Sequence, residues 1–288
     1  MIKLIDRYLI KISPALHRVL KKKLNDYRKK HNPKLSKAEF ISILENDLGI
    51  VKGDTLFIHS SMRKLYLDFP KADILDILKQ IVGKEGTLLF PCWQFNTRAE
   101  EYIKENEIVF SHKDSPSAMG KLSDVLRFNP EAHRSFHPTN SVIAIGKNAK
   151  ELTEGHYEDI YPCGTHSPFY KMMKYNAKVI GIGVTVDNLT FVHVIEDTIK
   201  EKFPIQTRMD ETLDCTCITE NDEKIIVKTK VATKAVSNRD VTAYFDENIS
   251  QEVCTRIARK KMTFFCGETN KLYKEIENCA KENKTIYL

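Results

Sequence analysis

From Ser36 onward, short apolar runs alternate with amphipathic stretches. Ser36-Lys37-Ala38-Glu39 has the spacing of a capping box and predicts a helix through Asp47 whose apolar side is Phe40, Ile41 and Leu44. A strand from Thr55 to His59 follows Lys52-Gly53-Asp54, then a helix from Ala72 to Val82 and a strand from Thr87 to Phe90 after Gly86. An irregular stretch from Pro91 to Pro116 precedes a helix from Ala118 to Phe128, which Asn129-Pro130 ends. Next come a strand from Ser141 to Ile145, a short helix over 148–153, a loop through His156 to Pro168, a strand from Lys178 to Val184 and a helix from Thr190 to Lys200. Past about residue 205 the texture changes to a hairpin, Leu213 to Thr219 with Lys224 to Thr229. A helix from Gln251 to Lys260 and another around Lys271 to Cys279 follow. Strands alternating with helices predict an α/β protein, a three-layer α/β/α sandwich on a central mixed sheet with a C-terminal portion of hairpin plus helices.

The first 34 residues read differently. Tyr8, Leu9, Ile12, Leu16, Val19, Leu20 and Leu24 share one face of two helical pieces joined at Ser13-Pro14, with lysines and arginines on the other faces. Residues 1–34 are therefore expected to be a basic amphipathic extension. It either lies on an anionic membrane surface or docks on the body or on a second copy, and 36–288 forms one domain. The charge supports the division. The chain carries a net +6, but 1–34 alone hold eleven Lys/Arg against Asp6 and Asp26, leaving the body mildly acidic. A nucleic-acid enzyme would spread basic residues around its site, so no nucleic-acid partner is expected.

With 288 residues, 42% of them hydrophobic, the chain can bury a core without disulfides or metals. No run of about 18 uncharged apolar residues exists, and the N-terminus has no small-residue cleavage site, so a cytoplasmic protein is expected, with the inner membrane face as the arm's alternative site. The seven cysteines (92, 163, 215, 217, 254, 266 and 279) show no CxxC spacing, which fits reduced thiols. Cys215 and Cys217 have the spacing of one strand face.

Several chemistries lack their motifs: the Walker loop, the dinucleotide glycine fingerprint, HExxH and the GxSxG elbow are all absent. His133 and His137 have helical i, i+4 spacing, but Pro138 follows directly and the segment reads as a loop, so no metal is expected. His59-Ser60-Ser61-Met62-Arg63 lies at the carboxyl end of the first strand, where backbone N–H groups can face an anion or a carbonyl oxygen. The densest cluster runs from Gly181 to Asp197. There Thr190 can cap a helix preceded by Asp187 and Asn188, and His193 and Glu196 are i, i+3 neighbours inside it. A carboxylate-backed histidine suits proton abstraction near neutral pH, although a surface ion pair has the same spacing.

Six strings in order closely resemble the aminoglycoside 3-N-acetyltransferase family. They are Ile58-His59-Ser60-Ser61, Gly86 to Pro91, Ser115 to Arg127 with Met119-Gly120, Arg134-Ser135-Phe136-His137-Pro138 through Gly146, Ser167-Pro168, and Asp187-Asn188-x-Thr190-x-x-His193-x-x-Glu196. The resemblance implies an α/β/α fold, distinct from the GNAT acetyltransferases, and transfer of an acetyl group from acetyl-CoA to an amine on an amino-sugar ring. It implies His193 as general base with Glu196 as its supporting acid, and Asp187, Asn188 and Thr190 at the acceptor edge. For CoA it implies Ser60, Ser61, Ser117, Met119, Gly120, Arg134, Ser135 and His137. Two departures bear on the acceptor: the family's acceptor region varies greatly and here reads Cys92 to Tyr102, whose acidic residues either pair with a polycationic antibiotic or are solvated charges, and drug-modifying members do not need the basic extension. The acceptor expected is a small amino sugar, either an aminoglycoside or a nucleotide-linked amino sugar bound for a surface polysaccharide. The contrasting class is a non-catalytic module that binds CoA or a sugar.

Overall fold

The computed structural model describes residues 13–287. Ten helices and ten strands carry labels here. The helices are α1 Pro14–His31, α2 Lys37–Ser42, α3 Asp73–Val82, α4 Ala99–Glu105, α5 Lys121–Leu126, α6 Ala149–Thr153, α7 Pro168–Lys171, α8 Val192–Ile199, α9 Val241–Asn248 and α10 Thr269–Lys281. The strands are β1 Thr55–Ser60, β2 Thr87–Pro91, β3 Phe110–Ser111, β4 His133–Arg134, β5 Val142–Gly146, β6 Lys178–Ile182, β7 Leu213–Ile218, β8 Lys224–Thr229, β9 Cys254–Arg259 and β10 Met262–Glu268.

The central sheet has the order β4-β5-β2-β1-β6-β10-β9. Its middle, β2-β1-β6, is parallel and its outer strands pair antiparallel, so the sheet is mixed as expected. Side chains alternate across it because the strand period is two. Leu56, Ile58, Leu88, Phe90, Ile180, Ile182 and Phe264 face one layer, which packs on α2, α3 and α5. Phe57, Leu89, Val179 and Phe265 face the other, which packs on α8, α9 and α10. His59 continues the Phe57 row, its ring edge-on to Phe57 at 5.0 Å, and so points toward α8. Gly181 is required by the same packing, since a Cβ there would lie 2.1 Å from the Phe265 ring. Gly183, at φ +71, turns the chain off the end of β6.

The Ser36 capping box is present: the Ser36 hydroxyl accepts from the Glu39 N–H and the Glu39 carboxylate accepts from the Ser36 N–H. The helix it opens relaxes into a π turn over Ile43–Asp47. The hairpin at 213–229 forms as β7-β8, with Cys215 and Cys217 buried on one face, and joins β3 in a separate three-stranded sheet. All seven cysteines are free and buried.

Three elements differ from expectation. The segment expected as a helix from Gln251 to Lys260 contains β9, which pairs with β10 along the edge of the main sheet. The two strands are joined by Lys260 and Lys261, both at positive φ (47° and 65°), the backbone of a tight hairpin turn that neither lysine announces. The helix expected from Ala118 is only α5, capped by Gly120 at φ +133. In the extension, α1 is continuous over Pro14–His31; the helical piece expected before Ser13 lies outside the described residues. No helix among the described residues is long and apolar enough to cross a membrane.

Candidate active site

The carboxyl ends of β1, β2 and β6 open onto a cleft of about 200 Å³, where ligands of open α/β sheets bind. Ser60 ends β1 and Pro91 ends β2, with Trp93 just beyond; the turn after β6 supplies Asp187, Asn188 and Thr190, and α8 supplies His193. Two consecutive turns keep the short path from β6 to α8 compact, with Asn188 N–H donating to the Thr185 carbonyl and His193 N–H to the Thr190 carbonyl.

His193 and Glu196 share a face of α8, as their spacing requires. His193 Nδ1 lies 3.0 Å from both carboxylate oxygens of Glu196. An ionised carboxylate only accepts, so Nδ1 carries the proton and Nε2 turns its lone pair toward the cleft. Burial pushes the Glu196 carboxyl up, but the contacts with His193, Arg208 and Tyr287 outweigh it and hold the group below its ordinary value. The Tyr287 hydroxyl donates to Glu196 Oε1 at 2.6 Å from the opposite side. Behind the pair, the next residue Asp197 accepts two bonds from Arg208 (2.6 and 2.8 Å) and one from the Cys163 N–H at 2.8 Å, which fixes the rotation of α8. On the cleft side Arg239 Nη1 donates to His193 Nε2 at 3.1 Å. The histidine is therefore held at both nitrogens.

The rest of the expected site divides. Ser60, Met119, Asp187, Asn188, Thr190 and His193 line the cleft, and Glu196 backs it. Asp187 does so with both oxygens occupied, Oδ1 by the Thr242 hydroxyl and N–H and Oδ2 by the Thr185 hydroxyl. Thr190 does not cap α8. Its hydroxyl lies 3.3 Å from His59 Nε2 instead. His59 is buried, and that burial lowers its pKa to about 3, so the ring stays neutral at physiological pH.

Several residues expected to hold CoA have partners within the fold. Ser61 donates its N–H to the Ile182 carbonyl in the sheet, so this amide is spent on the fold. Ser117 is a turn residue, its hydroxyl accepting from Met119 N–H and meeting the Ser123 hydroxyl at 2.8 Å. Arg134 is buried, with its guanidinium 4.7 Å over the Phe110 ring and donating to the carbonyls of Cys92, His112 and Ser115; it clamps three chain segments. Ser135 is buried between the Val142 N–H, which it accepts, and His156 Nδ1. His137 accepts from the N–H groups of Thr139 and Asn140 and stacks on His156 at 4.3 Å. Buried backbone must be paired, and Arg134, Ser135 and His137 each supply a partner to it. In the Cys92 to Tyr102 segment, Glu100 pairs with Lys104 at 2.7 Å and Arg98 at 3.9 Å, and Trp93 alone of the stretch lines the cleft.

Tyr287 and Arg239 carry no sequence signal of their role. Tyr287 lies 91 positions from its partner Glu196, and Arg239 lies 46 from His193. A backbone bridge between Arg239 and Tyr287 brings the two together.

The fold is that of solved aminoglycoside acetyltransferases. One crystallised with gentamicin superposes at a TM-score of 0.71 with 20% identity, covering 89% of this chain and 92% of its own. Another, a binary complex with CoASH, superposes at 0.71 with 18% identity over 88% of this chain and 98% of its own. The family model described as aminoglycoside 3-N-acetyltransferase matches residues 57–278, and the chain belongs to that family. Among curated relatives, aminoglycoside N(3)-acetyltransferase IX of Micromonospora chalcea is 29% identical over 167 residues, which span 52% of this chain and 58% of the relative.

Proposed function

We propose that this chain is an acetyl-CoA-dependent N-acetyltransferase that acetylates an amino group on an amino-sugar acceptor by direct transfer, with His193 as general base. The observation that carries the reading is the orientation of His193: Glu196 holds the proton on Nδ1 and the basic Nε2 faces a cleft at the carboxyl edge of the sheet. The family supports the reaction class, and similar proteins crystallised with gentamicin and with CoASH support the two substrates.

In this reading the neutral acceptor amine attacks the thioester carbonyl, and its proton passes to Nε2 as the N–C bond forms. Glu196 balances the imidazolium. Collapse of the tetrahedral intermediate breaks the C–S bond, and Nε2–H returns the proton to the departing thiolate. The products are the amide and CoA thiol, with the ring neutral again. The seven cysteines are buried and none lines the cleft, which supports direct transfer over a cysteine-bound acetyl.

Thiol release from acetyl-CoA with a panel of amino sugars tests the reading. The wild type should release thiol with at least one acceptor, and His193→Ala should lower kcat by about a hundredfold or more, the lower bound for a positioned base. A variant with near-normal kcat across pH 6 to 9 would move the base elsewhere. No release with any amine would favour a module that binds without turnover.

A further inference from the structure

Arg239 stands immediately before Asp240, which caps α9 with its side chain on the Ala243 N–H. Its guanidinium donates at 3.1 Å to His193 Nε2, the atom that must be free for the base to act. Arg239 forms no ion pair among the described residues. Asp187, the carboxylate in the same cleft, is occupied by Thr185 and Thr242, and Asp240 is occupied by its cap. Hydrogen bonds from neutral donors leave the Asp187 charge in place, so the cleft lining carries one carboxylate, held toward Thr185 and Thr242, and one cation, Arg239, which covers the base. An acceptor carrying several ammonium groups meets like charge at the reacting centre. An acceptor with an anionic substituent beside its amine meets a guanidinium fork that matches phosphate or carboxylate.

We propose that Arg239 is a specificity-determining residue that selects an amino sugar bearing a phosphate or carboxylate near the reacting amine, and that pairing with this anion draws the guanidinium off Nε2 and releases the base. This rests on the acetyltransferase reading and names its acceptor class. Binding and uncovering are then one event. A neutral amino sugar leaves Arg239 on the ring, so the base is occupied for part of the time. No new bond chemistry is involved, only exchange of one acceptor of the Arg239 N–H groups for a stronger, charged one.

Four acceptors with free amines separate the cases: glucosamine, glucosamine 6-phosphate, UDP-glucosamine and kanamycin, each assayed by thiol release with the full-length wild type and with Arg239→Ala. The wild type should favour at least one phosphorylated sugar over glucosamine by about tenfold or more in kcat/KM, a difference equal to about 1.4 kcal/mol. Arg239→Ala should erase that preference through the acceptor's KM, with the KM for acetyl-CoA held. The sugar-phosphate and nucleotide arms distinguish a simple phosphate from a nucleotide-linked one. Titration calorimetry with the same two phosphorylated sugars gives a readout independent of turnover: binding to the wild type that weakens about tenfold in the variant supports the assignment even if no amine is acetylated. Kanamycin as the best acceptor, with Arg239→Ala neutral, would overturn it. So would a loss confined to the KM for acetyl-CoA, which would place Arg239 on the cofactor, or equal binding of phosphorylated sugars by both proteins.

Discussion

Tyr287 bears on the proposed proton transfer without facing the cleft. Its hydroxyl donates at 2.6 Å to Glu196 Oε1, leaving the carboxylate to hold His193 Nδ1 with both oxygens at 3.0 Å. A hydrogen bond to a charged group contributes about 1.5–3 kcal/mol, and here it fixes the direction of the carboxylate. Tyr287→Phe keeps the ring packed edge-on to Phe203 while removing the donor. The variant should lose about tenfold in kcat with both KM values close to wild type, while its Tm falls by several degrees as the bond is lost. A fall in Tm with unchanged kcat would make Tyr287 a packing residue only. His193 and Glu196 were legible in the sequence because a three-residue helical spacing already puts them on one face. Tyr287 was not, because only the folded bridge to Arg239 brings it near.

Among the elements, legibility followed how local the controlling signal was. The capping box at Ser36, the β1-α3-β2 unit and the β7-β8 hairpin are each set by neighbours in sequence, and each forms where the pattern puts it, give or take a residue or two at the ends. The β9 segment has a helical pattern in sequence, because its identity as a strand depends on pairing with β10 through a Lys260-Lys261 turn without Asn or Gly. The extension is a further test at this scale. At its end Leu35 is buried and bridges Leu67, donating its N–H to the Tyr66 carbonyl and accepting from the Asp68 N–H. In α1, Val19, Leu20 and Tyr27 are exposed. Removing residues 1–31 should leave the Tm within about 2 °C and turnover of a soluble acceptor within a few fold, whereas Leu35→Ala should cost about 2–5 kcal/mol in urea unfolding. A truncated protein that loses its cooperative transition would show that the arm packs into the body.

Across the whole molecule, three histidines are part of the interior, and this sets how the fold responds to acid. The Arg134 to His137 segment matched a family string, yet spacing alone could not show that its polar groups pair with backbone instead of facing the cleft. His59, His137 and His156 are all buried; burial lowers His59 and His156 to about 3, and burial together with the neighbouring His156 and Arg208 holds His137 well below its ordinary 6.5. Below pH 6.5 the unfolded chain takes up protons at these three rings while the folded one does not, so unfolding gains from acid. Their contribution to stability is complete above about pH 6.5 and is lost progressively as pH falls toward 3, each ring adding a slope of up to about 1.4 kcal/mol per pH unit. Three rings together approach about 4 kcal/mol per unit, enough to exhaust a typical 5–15 kcal/mol within a few units. Urea titrations should therefore show unfolding free energy nearly level from pH 8 to 7 and falling steeply between 6 and 4. His156→Gln, although less stable at neutral pH through its lost contacts with Ser135 and the Pro162 carbonyl, should show a shallower acid slope by about one proton. Stability that stays flat down to pH 4.5, or a slope the variant leaves unchanged, would mean these rings take up protons inside the fold.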